Sequence, residues 1–219
     1  MSDGGYDRLA AVYPMLERWM FGNALDHARR DACRFWSEHD STPAAPKQIL
    51  LVGDGRGHCL SEFALRFPHC ALVSVDRSGE MLRKQQERMK RFSFRQSIRY
   101  VRVDACEVGN LGIAPEVVVL PFFTDHLGEE PLGRFIQRTR PVLVGRRLWW
   151  HLDFVPPRRV VDRVRGRLMT EFFNRMTDRP SMGVRDEQSL LRRYGLRRLA
   201  NRRLHPMIAA SIWTDANML

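Results

Sequence analysis

Two kinds of hydrophobic pattern alternate along the middle of the chain. Short continuous apolar runs, typical of strands buried on both faces, precede segments whose three- and four-residue apolar spacing is typical of helices. The runs predict strands at 48–52, 70–75, 97–103, 116–120 and 147–154. The spaced segments predict helices at 56–67, 78–92 and 129–139. Because strands that alternate with helices are joined by right-handed crossovers, this order predicts a parallel sheet with helices on both faces.

The pattern before the first strand is helical. Residues 16–36 have the apolar spacing of an amphipathic helix, in which Gly22-Asn23 offers a break. A linker rich in helix-breaking residues follows at 41–46. The sequence therefore predicts a helical segment in front of the α/β body.

The pattern after the fifth strand is mixed. Helices are predicted at 160–176 and 186–194, and two further strands are predicted at 196–204 and 207–213. His205-Pro206 joins these two strands, so they are expected to form an antiparallel hairpin that closes one side of the sheet. The predicted fold class is thus α/β, with a seven-stranded, mostly parallel sheet and an antiparallel C-terminal hairpin.

The net charge of +11, supplied mostly by arginine, is the unusual property of the composition. A positive field favours anionic partners such as nucleic acid, phospholipid surfaces or acidic small molecules. The alternative is that the arginines are solvated on helix faces, and we prefer it because the charge is spread along the chain.

Cysteine usage and the N-terminus predict a cytoplasmic protein. Cys33, Cys59, Cys70 and Cys106 have no C-x-x-C spacing, which fits unpaired thiols in a reducing compartment and predicts no metal site. The N-terminus lacks the basic region and apolar core of a secretory signal. No apolar run approaches the roughly 20 residues that span a bilayer.

Three glycines at alternate positions, Gly53, Gly55 and Gly57, connect the first strand to the helix after it. Glycine tolerates backbone angles that a Cβ would forbid, and it leaves room for a ligand against the main chain. The spacing differs from the G-x-G-x-x-G of dinucleotide-binding proteins and from the G-x-x-x-x-G-K-[ST] of P-loops. By itself, it fits either a ligand site or an ordinary strand-to-helix turn.

Two carboxylates follow the next two strands. Asp76 ends the second strand, where a carboxylate can accept both hydroxyl protons of a ribose. Asp104 follows the third strand, where a carboxylate can accept a hydrogen bond from an exocyclic amine. Each can instead be a helix cap or a loop aspartate.

The glycine turn, the segment Val75 to Leu82 and the segment Val103 to Ala105 together resemble the S-adenosylmethionine-binding motifs of class I methyltransferases. The resemblance covers residues 47–154 and implies a Rossmann-like fold, S-adenosylmethionine as cofactor and S-adenosylhomocysteine as product. It implies that the turn holds the methionine portion, Asp76 the ribose and Asp104 the adenine. The implied cofactor-binding residues are Tyr13, Gly53, Asp54, Gly55, Gly57, Asp76, Arg77, Met81, Asp104, Ala105, Pro121 and Phe122.

The resemblance is to small-molecule methyltransferases, and it includes one departure. The segments 122–125 and 152–154 are similar to those of a little-characterised bacterial subgroup. The family often has an acid where this chain has Leu51, and we expect Asp54 to supply that polarity by meeting the cofactor's amino group.

The resemblance implies a single methyltransferase domain over 1–219. Within it we expect an N-terminal helical cap or lid at 1–45, a cofactor-binding core at 46–155, and acceptor-side helices with the closing hairpin at 156–219.

The candidate catalytic residues lie after the fourth strand and in the last part of the fifth strand, where a methyl acceptor would arrive. His126 and His151 are candidate general bases, and Asp125 and Asp153 can orient a base or an acceptor. The alternative is that the histidines pack or cap turns and that the aspartates bind a helix terminus. Trp149-Trp150 is predicted to place one ring in the core on each face of the sheet.

The sequence therefore predicts a methyltransferase that acts on a small molecule. Phe172, Phe173 and Met176 lie on a predicted helix that lids the acceptor pocket in this fold, which suggests an apolar, quinone-like or lipid-like acceptor; the same stripe is also what core packing requires. The alternatives are an RNA methyltransferase, suggested by the arginine excess, and a methyltransferase-like binding protein without turnover.

Overall fold

The strands of the computed structural model form one seven-stranded sheet in the order β3-β2-β1-β4-β5-β7-β6. The structure describes residues 22–39, 45–92, 97–156, 164, 171 and 187–216. The strands are β1 Gln48–Val52, β2 Ala71–Asp76, β3 Ile98–Arg102, β4 Val117–Pro121, β5 Leu148–Phe154, β6 Leu196–His205 and β7 Ile208–Asp215. Strands β1 to β5 are parallel, whereas β7 runs antiparallel to β5 and β6. This confirms the predicted mixed sheet.

The helices follow the predicted spacing closely. They are α1 Ala24–His39, α2 His58–Arg66, α3 Gly79–Met89, α4 Glu129–Thr139 and α5 Glu187–Arg193. Helix α1 begins directly after the break offered by Gly22-Asn23, where Gly22 has a φ of 55°. Three short elements of the described chain were not predicted, the 3-10 helices Ala105–Asn110, Thr124–His126 and Arg140–Val142.

A buried aromatic core lies on each face of the sheet. On the face covered by α1 and α2, the rings of Trp36, Phe63 and Trp150 pack with centroids 5.5–6.0 Å apart. On the face covered by α4, the ring of Phe135 meets that of Trp149 edge to face at 6.0 Å. Trp149 and Trp150 therefore do lie in opposite core layers, as strand alternation predicts.

The carboxyl ends of β1 to β5 meet at one edge, which is where ligands of open α/β sheets bind. This edge carries the glycine turn, Asp76, Asp104 and the segment after β4. Tyr13 and nearly all of the predicted helix 160–176, with Phe172, Phe173 and Met176, lie outside the described residues. Within the described ranges, no helix has both the length and the apolar character needed to cross a membrane.

Candidate cofactor and acceptor site

The three glycines of the turn differ in what a side chain at each position would meet. All have positive φ, at 69° for Gly53, 53° for Gly55 and 77° for Gly57. A Cβ on Gly53 would lie 2.3 Å from the Phe123 ring, and one on Gly57 would lie 3.0 Å from Cγ of Gln85. A Cβ on Gly55 would meet no heavy atom within 4 Å. Packing therefore requires Gly53 and Gly57, whereas Gly55 faces open space that a ligand can fill.

Asp54, between the first two glycines, is bound to its own helix. Its carboxylate accepts hydrogen bonds from the backbone N–H groups of Cys59 at 3.1 Å and Leu60 at 2.7 Å, in the first turn of α2. Burial raises the pKa of Asp54 to about 6, although these two bonds and the nearby positive charges act in the opposite direction. The structure thus gives this side chain a helix-capping contact that the sequence did not predict.

Asp76 lies beside the turn at the end of β2. Its Oδ1 accepts a hydrogen bond from the backbone N–H of Ser78 at 2.9 Å. Burial raises its pKa to about 6, and the negative charge of Asp54 adds to the effect, while hydrogen bonds from the backbone of Ser78, Arg77 and Gly55 lower it. Burial makes the Asp76 carboxylate costly to ionise. Hydrogen-bond donors of a ligand in the open space beside it would therefore stabilise its charged form.

The other predicted cofactor residues are on the same side of the sheet. Asp104 is exposed, and its carboxylate accepts from the backbone N–H of Cys106 at 2.9 Å, so that it caps the 3-10 helix beginning at the buried Ala105. The backbone N–H of Met81 donates to Oγ of Ser78, which caps α3. Arg77, in the connecting turn, is exposed.

Gln85 supports the turn from α3, and sequence reasoning missed it. This fully buried side chain donates from Nε2 to the carbonyl of Gly55 at 3.0 Å and accepts from Oγ of Ser74 at 2.6 Å. A signal was present, because Gln85 is spaced three residues from Leu82 and four from Met89, the other buried residues of α3.

The segment that follows β4 begins with a strained backbone at Phe122. This residue has a φ of 53°, which is rare for a side chain of this size, and it directly follows the buried Pro121 that ends β4. Its ring packs against Phe154 at 5.1 Å, and the Arg29 guanidinium lies 5.1 Å above it. Because of these contacts, Phe122, a predicted cofactor residue, packs mainly against protein groups and is only 8% exposed.

Thr124, His151 and Asp153 form a buried hydrogen-bonded cluster. The Thr124 hydroxyl donates to Oδ2 of Asp153 at 2.5 Å, so its oxygen is free to accept from Nε2 of His151 at 2.8 Å. Oδ2 also accepts from the backbone N–H groups of Thr124 and Asp125, at 3.1 and 3.3 Å. Burial opposes ionisation of Asp153, but the hydrogen bonds and charge from His151, with those from Thr124 and Phe154, lower its pKa overall.

This cluster determines where the candidate catalytic residues lie. His151 is 3% exposed, and its Nδ1 faces Oγ of Ser211 at 3.4 Å, so both ring nitrogens face protein groups. Asp125 and His126 belong to the 3-10 turn Thr124–His126, whose backbone is held by Asp153. Thr124 and Ser211, which hold His151, were not predicted, because they lie in elements that are distant from His151 in sequence.

Comparison with known proteins gives structural neighbours only. No protein-family model matches the sequence, and no curated protein matches it. The mitomycin 7-O-methyltransferase MmcR is similar with a TM-score of 0.68 and 16% identity, over 94% of this chain and 59% of that one. An O-methyltransferase family 2 protein from Planctomyces limnophilus, solved with apigenin, has a TM-score of 0.64 and 12% identity, over 89% and 66% of the two chains.

A third solved structure contains a cofactor product. A LepI variant in complex with SAH and a substrate analogue has a TM-score of 0.62 and 15% identity, over 83% of this chain and 46% of LepI. The chain thus spans 46–66% of the length of these three structures. At this level of identity the likeness shows the fold, and the protein has the fold of the small-molecule O-methyltransferases.

Proposed function

We propose that the protein binds S-adenosylmethionine and transfers its methyl group to a small-molecule acceptor, releasing S-adenosylhomocysteine. The observation that carries this proposal is the open space at Gly55 beside the desolvated carboxylate of Asp76, at the ends of β1 and β2 in a methyltransferase fold. A ligand with hydroxyl donors fits this cradle, because a Cβ at Gly55 would project into free space and Asp76 is stabilised by added donors.

The binding roles follow from this arrangement. The main chain of 53–57 would lie against the methionine portion, Asp76 would accept from the ribose hydroxyls, and Asp104 with Ala105 would face the adenine. Arg77, Met81, Pro121, Phe122 and Tyr13 complete the proposed cofactor shell. The role proposed for Asp54 changes from a direct contact to holding the turn, because both of its oxygens accept from α2.

The sulfonium of the bound cofactor supplies an electrophilic methyl group. The residues of the chain have two remaining tasks, which are to align the acceptor and to receive its proton. We assign the acceptor side to the turn that holds Asp125 and His126, with His126 or Asp125 receiving the proton. We assign His151 a positioning role, since its nitrogens face Thr124 and Ser211. The O-methyltransferase neighbours support a hydroxyl group as the methylated position.

Titration calorimetry with S-adenosylhomocysteine tests the cofactor assignment, and we expect micromolar affinity. Transfer of labelled methyl groups from the cofactor into small molecules of a cell extract tests the reaction. Binding without transfer would support the alternative of a binding protein without turnover, whereas absence of binding would contradict the whole proposal.

RNA as the acceptor has less support. Several arginines that contribute to the net charge are bonded to carboxylates, including Arg83 to Glu80 and Glu87, Arg138 to Glu107, and Arg140 to Asp215. Such pairs reduce the positive charge available to phosphates. A filter-binding assay should therefore give weak, strongly salt-dependent RNA binding, the behaviour of a nonspecific cationic surface.

A further inference from the structure

A cavity of about 380 Å³ lies between α1, the start of α2 and α3. Three arginines line it, Arg29 and Arg30 from α1 and Arg88 from α3, together with His58 at the start of α2. The carboxylates of Asp26 and Glu62 are also in its wall. The proposed cofactor cradle at Gly55 and Asp76 does not use these side chains.

Arg88 is the most informative residue of the cavity. Its Nε donates to the carbonyl of Arg56 at 3.0 Å, and its Nη2 donates to Nε2 of His58 at 2.8 Å. In the part of the chain that the structure describes, no carboxylate lies within ion-pair distance of its guanidinium. Burial lowers the pKa of Arg88, while the charges of Asp54 and Asp26 act in the opposite direction from beyond ion-pair distance, so the guanidinium is partly desolvated without a direct counter-ion. An anion in the cavity would supply that counter-ion.

His58 is neutral and responds to the positive potential of the cavity. Its Nε2 accepts from Arg88 and its Nδ1 lies 3.1 Å from Oδ1 of Asp26, so the tautomer with the proton on Nδ1 satisfies both partners. Burial, together with the charges of Arg29, Arg88 and Arg56, lowers the pKa of His58 to about 3 against the opposing effect of Asp26. The arginines therefore dominate the local field.

The carboxylates of the wall do not compensate all three guanidiniums. Asp26 is already bound to Arg29 at 3.1 Å and to His58. Arg30 is exposed and makes no ion pair with any described residue. The wall contains three guanidiniums and two carboxylates, so it carries a net positive charge; the buried Asp54, outside the wall, offsets part of the charge of Arg29 and Arg88.

We propose that this cavity binds an oxyanion, a carboxylate or phosphate carried by a small molecule. Arg88 and Arg30 would hold the anion, since guanidinium groups suit both oxyanions geometrically. Arg29 connects the cavity to the segment that leads into the proposed acceptor side, because its guanidinium also lies over the Phe122 ring. The inference rests on the proposed function for the source of the anion, which is either an acidic methyl acceptor or the cofactor's own carboxylate.

Inorganic phosphate is the probe for the cavity, titrated by phosphorus NMR at constant ionic strength. We expect Arg88→Met and Arg30→Met each to weaken phosphate binding at least about tenfold, the loss of one charge-assisted contact. Arg34→Met is the matched control, because Arg34 is exposed on α1 outside the cavity lining. Arg30→Met removes no internal bond, so it remains informative if Arg88→Met fails to fold.

Two nucleosides distinguish the sources. S-adenosylhomocysteine carries the amino-acid carboxylate, and methylthioadenosine lacks it. If Arg88→Met weakens binding of the first and spares the second, the cofactor supplies the anion; if it spares both while phosphate binding is lost, the acceptor supplies it. Equal phosphate affinity in the wild-type protein and both cavity variants would overturn the inference, as would an equal loss in Arg34→Met. Failure of the wild-type protein to bind either nucleoside, with phosphate still bound, would contradict only the proposed function.

Discussion

Two neighbouring aspartates at the glycine turn have similar pKa values and different tasks. Both are raised to about 6, mainly by burial. The carboxylate of Asp54 accepts hydrogen bonds from two backbone N–H groups of α2. The carboxylate of Asp76 accepts from the backbone N–H of Ser78, after β2, and retains access to the open side. The first therefore stabilises the turn, and the second is suited to bind a ligand.

The substitution Asp76→Asn should weaken S-adenosylhomocysteine binding at least about tenfold, because a carboxylate accepts hydroxyl donors more strongly than an amide. The same change should raise the free energy of unfolding of the ligand-free protein at pH 7.5, on the order of 1–2 kcal/mol. The sign follows because a pKa raised from 3.8 to about 6 stabilises the folded state only below 3.8, and this stabilisation is lost as the pH rises through 6.

Calorimetry and urea unfolding measure these two effects. The stability difference should disappear near pH 4, and the affinity of the wild-type protein should fall as the pH drops below about 6, where Asp76 takes up its proton. Asp31→Asn, at an exposed position of α1, should change neither quantity. Unchanged affinity in Asp76→Asn would contradict the ribose assignment.

Gly55→Ala and Gly57→Ala should separate ligand contact from packing. In Gly55→Ala, the cost in stability should be about 1 kcal/mol for the positive φ alone, while the new methyl group in the ligand space lowers the affinity for S-adenosylhomocysteine. In Gly57→Ala, the methyl group also presses on Gln85, so the loss of stability should be larger, about 2 kcal/mol or more. Urea unfolding and calorimetry compare the two. An unaltered affinity in Gly55→Ala would show that its open space is not the ligand site.

At the scale of elements, α3 supports the turn through one amide. Gln85→Leu would leave the Ser74 hydroxyl and the Gly55 carbonyl without their buried partner, and we expect a loss of about 1–3 kcal/mol with weaker cofactor binding. Gln86→Leu is the matched control, because this neighbouring glutamine is exposed. Thermal and urea unfolding of the two variants give the comparison, and similar losses in both would refute the supporting role of Gln85.

The ends of β4 and β5 are held together by Asp153. In Asp153→Asn, the amide NH₂ group replaces one of the two carboxylate oxygens. In one orientation it faces the backbone N–H of Thr124, and in the other it faces the backbone N–H of Phe154, so a donor meets a donor in either case. We expect a loss on the order of 2–4 kcal/mol at pH 7. Because the folded pKa lies below 3.8, this stabilisation is present above pH 3.8 and declines as the pH falls further.

Urea unfolding at pH 7 and at pH 3 checks this expectation. Thr124→Val, which keeps the shape of the side chain and removes the hydroxyl, should show a smaller loss in the same direction. A fully stable Asp153→Asn variant would mean that the cluster does not hold the turn of Asp125 and His126.

The elements were predictable from the sequence because their signals are local. Apolar spacing located β1 to β7 within a few residues and gave α4 its observed bounds. The supporting contacts were not predictable, because they join residues far apart: Thr124 meets Asp153 across 29 positions and Gln85 meets Gly55 across 30. The positive φ of Phe122 and the inward direction of Asp54 also depend on tertiary packing, which local spacing does not encode.

At the scale of the whole molecule, one carboxylate joins the last strand to the body of the protein. Asp215 is 5% exposed and accepts from Nε of Arg140 at 2.7 Å and from Nε of Arg147 at 3.2 Å. Asp215→Asn should cost about 1–3 kcal/mol, because both guanidiniums lose their counter-ion. The exposed pair of Arg138 and Glu107 supplies the control, and Glu107→Gln should change the stability by less than about 0.5 kcal/mol. Equal effects in urea unfolding would contradict the special role of Asp215.

The position of β7 has a consequence for the order of folding during synthesis. Every residue of β7 is buried between β5 and β6, and Nε1 of Trp36 in α1 donates to the carbonyl of Ser211 in this strand. Helix α1, which is synthesised early, therefore docks on strand β7, which leaves the ribosome late. Until β7 has emerged, one edge of β5 remains unpaired. The nascent chain cannot complete its sheet until residue 215 has emerged, so its open edge is a surface on which a chaperone would act.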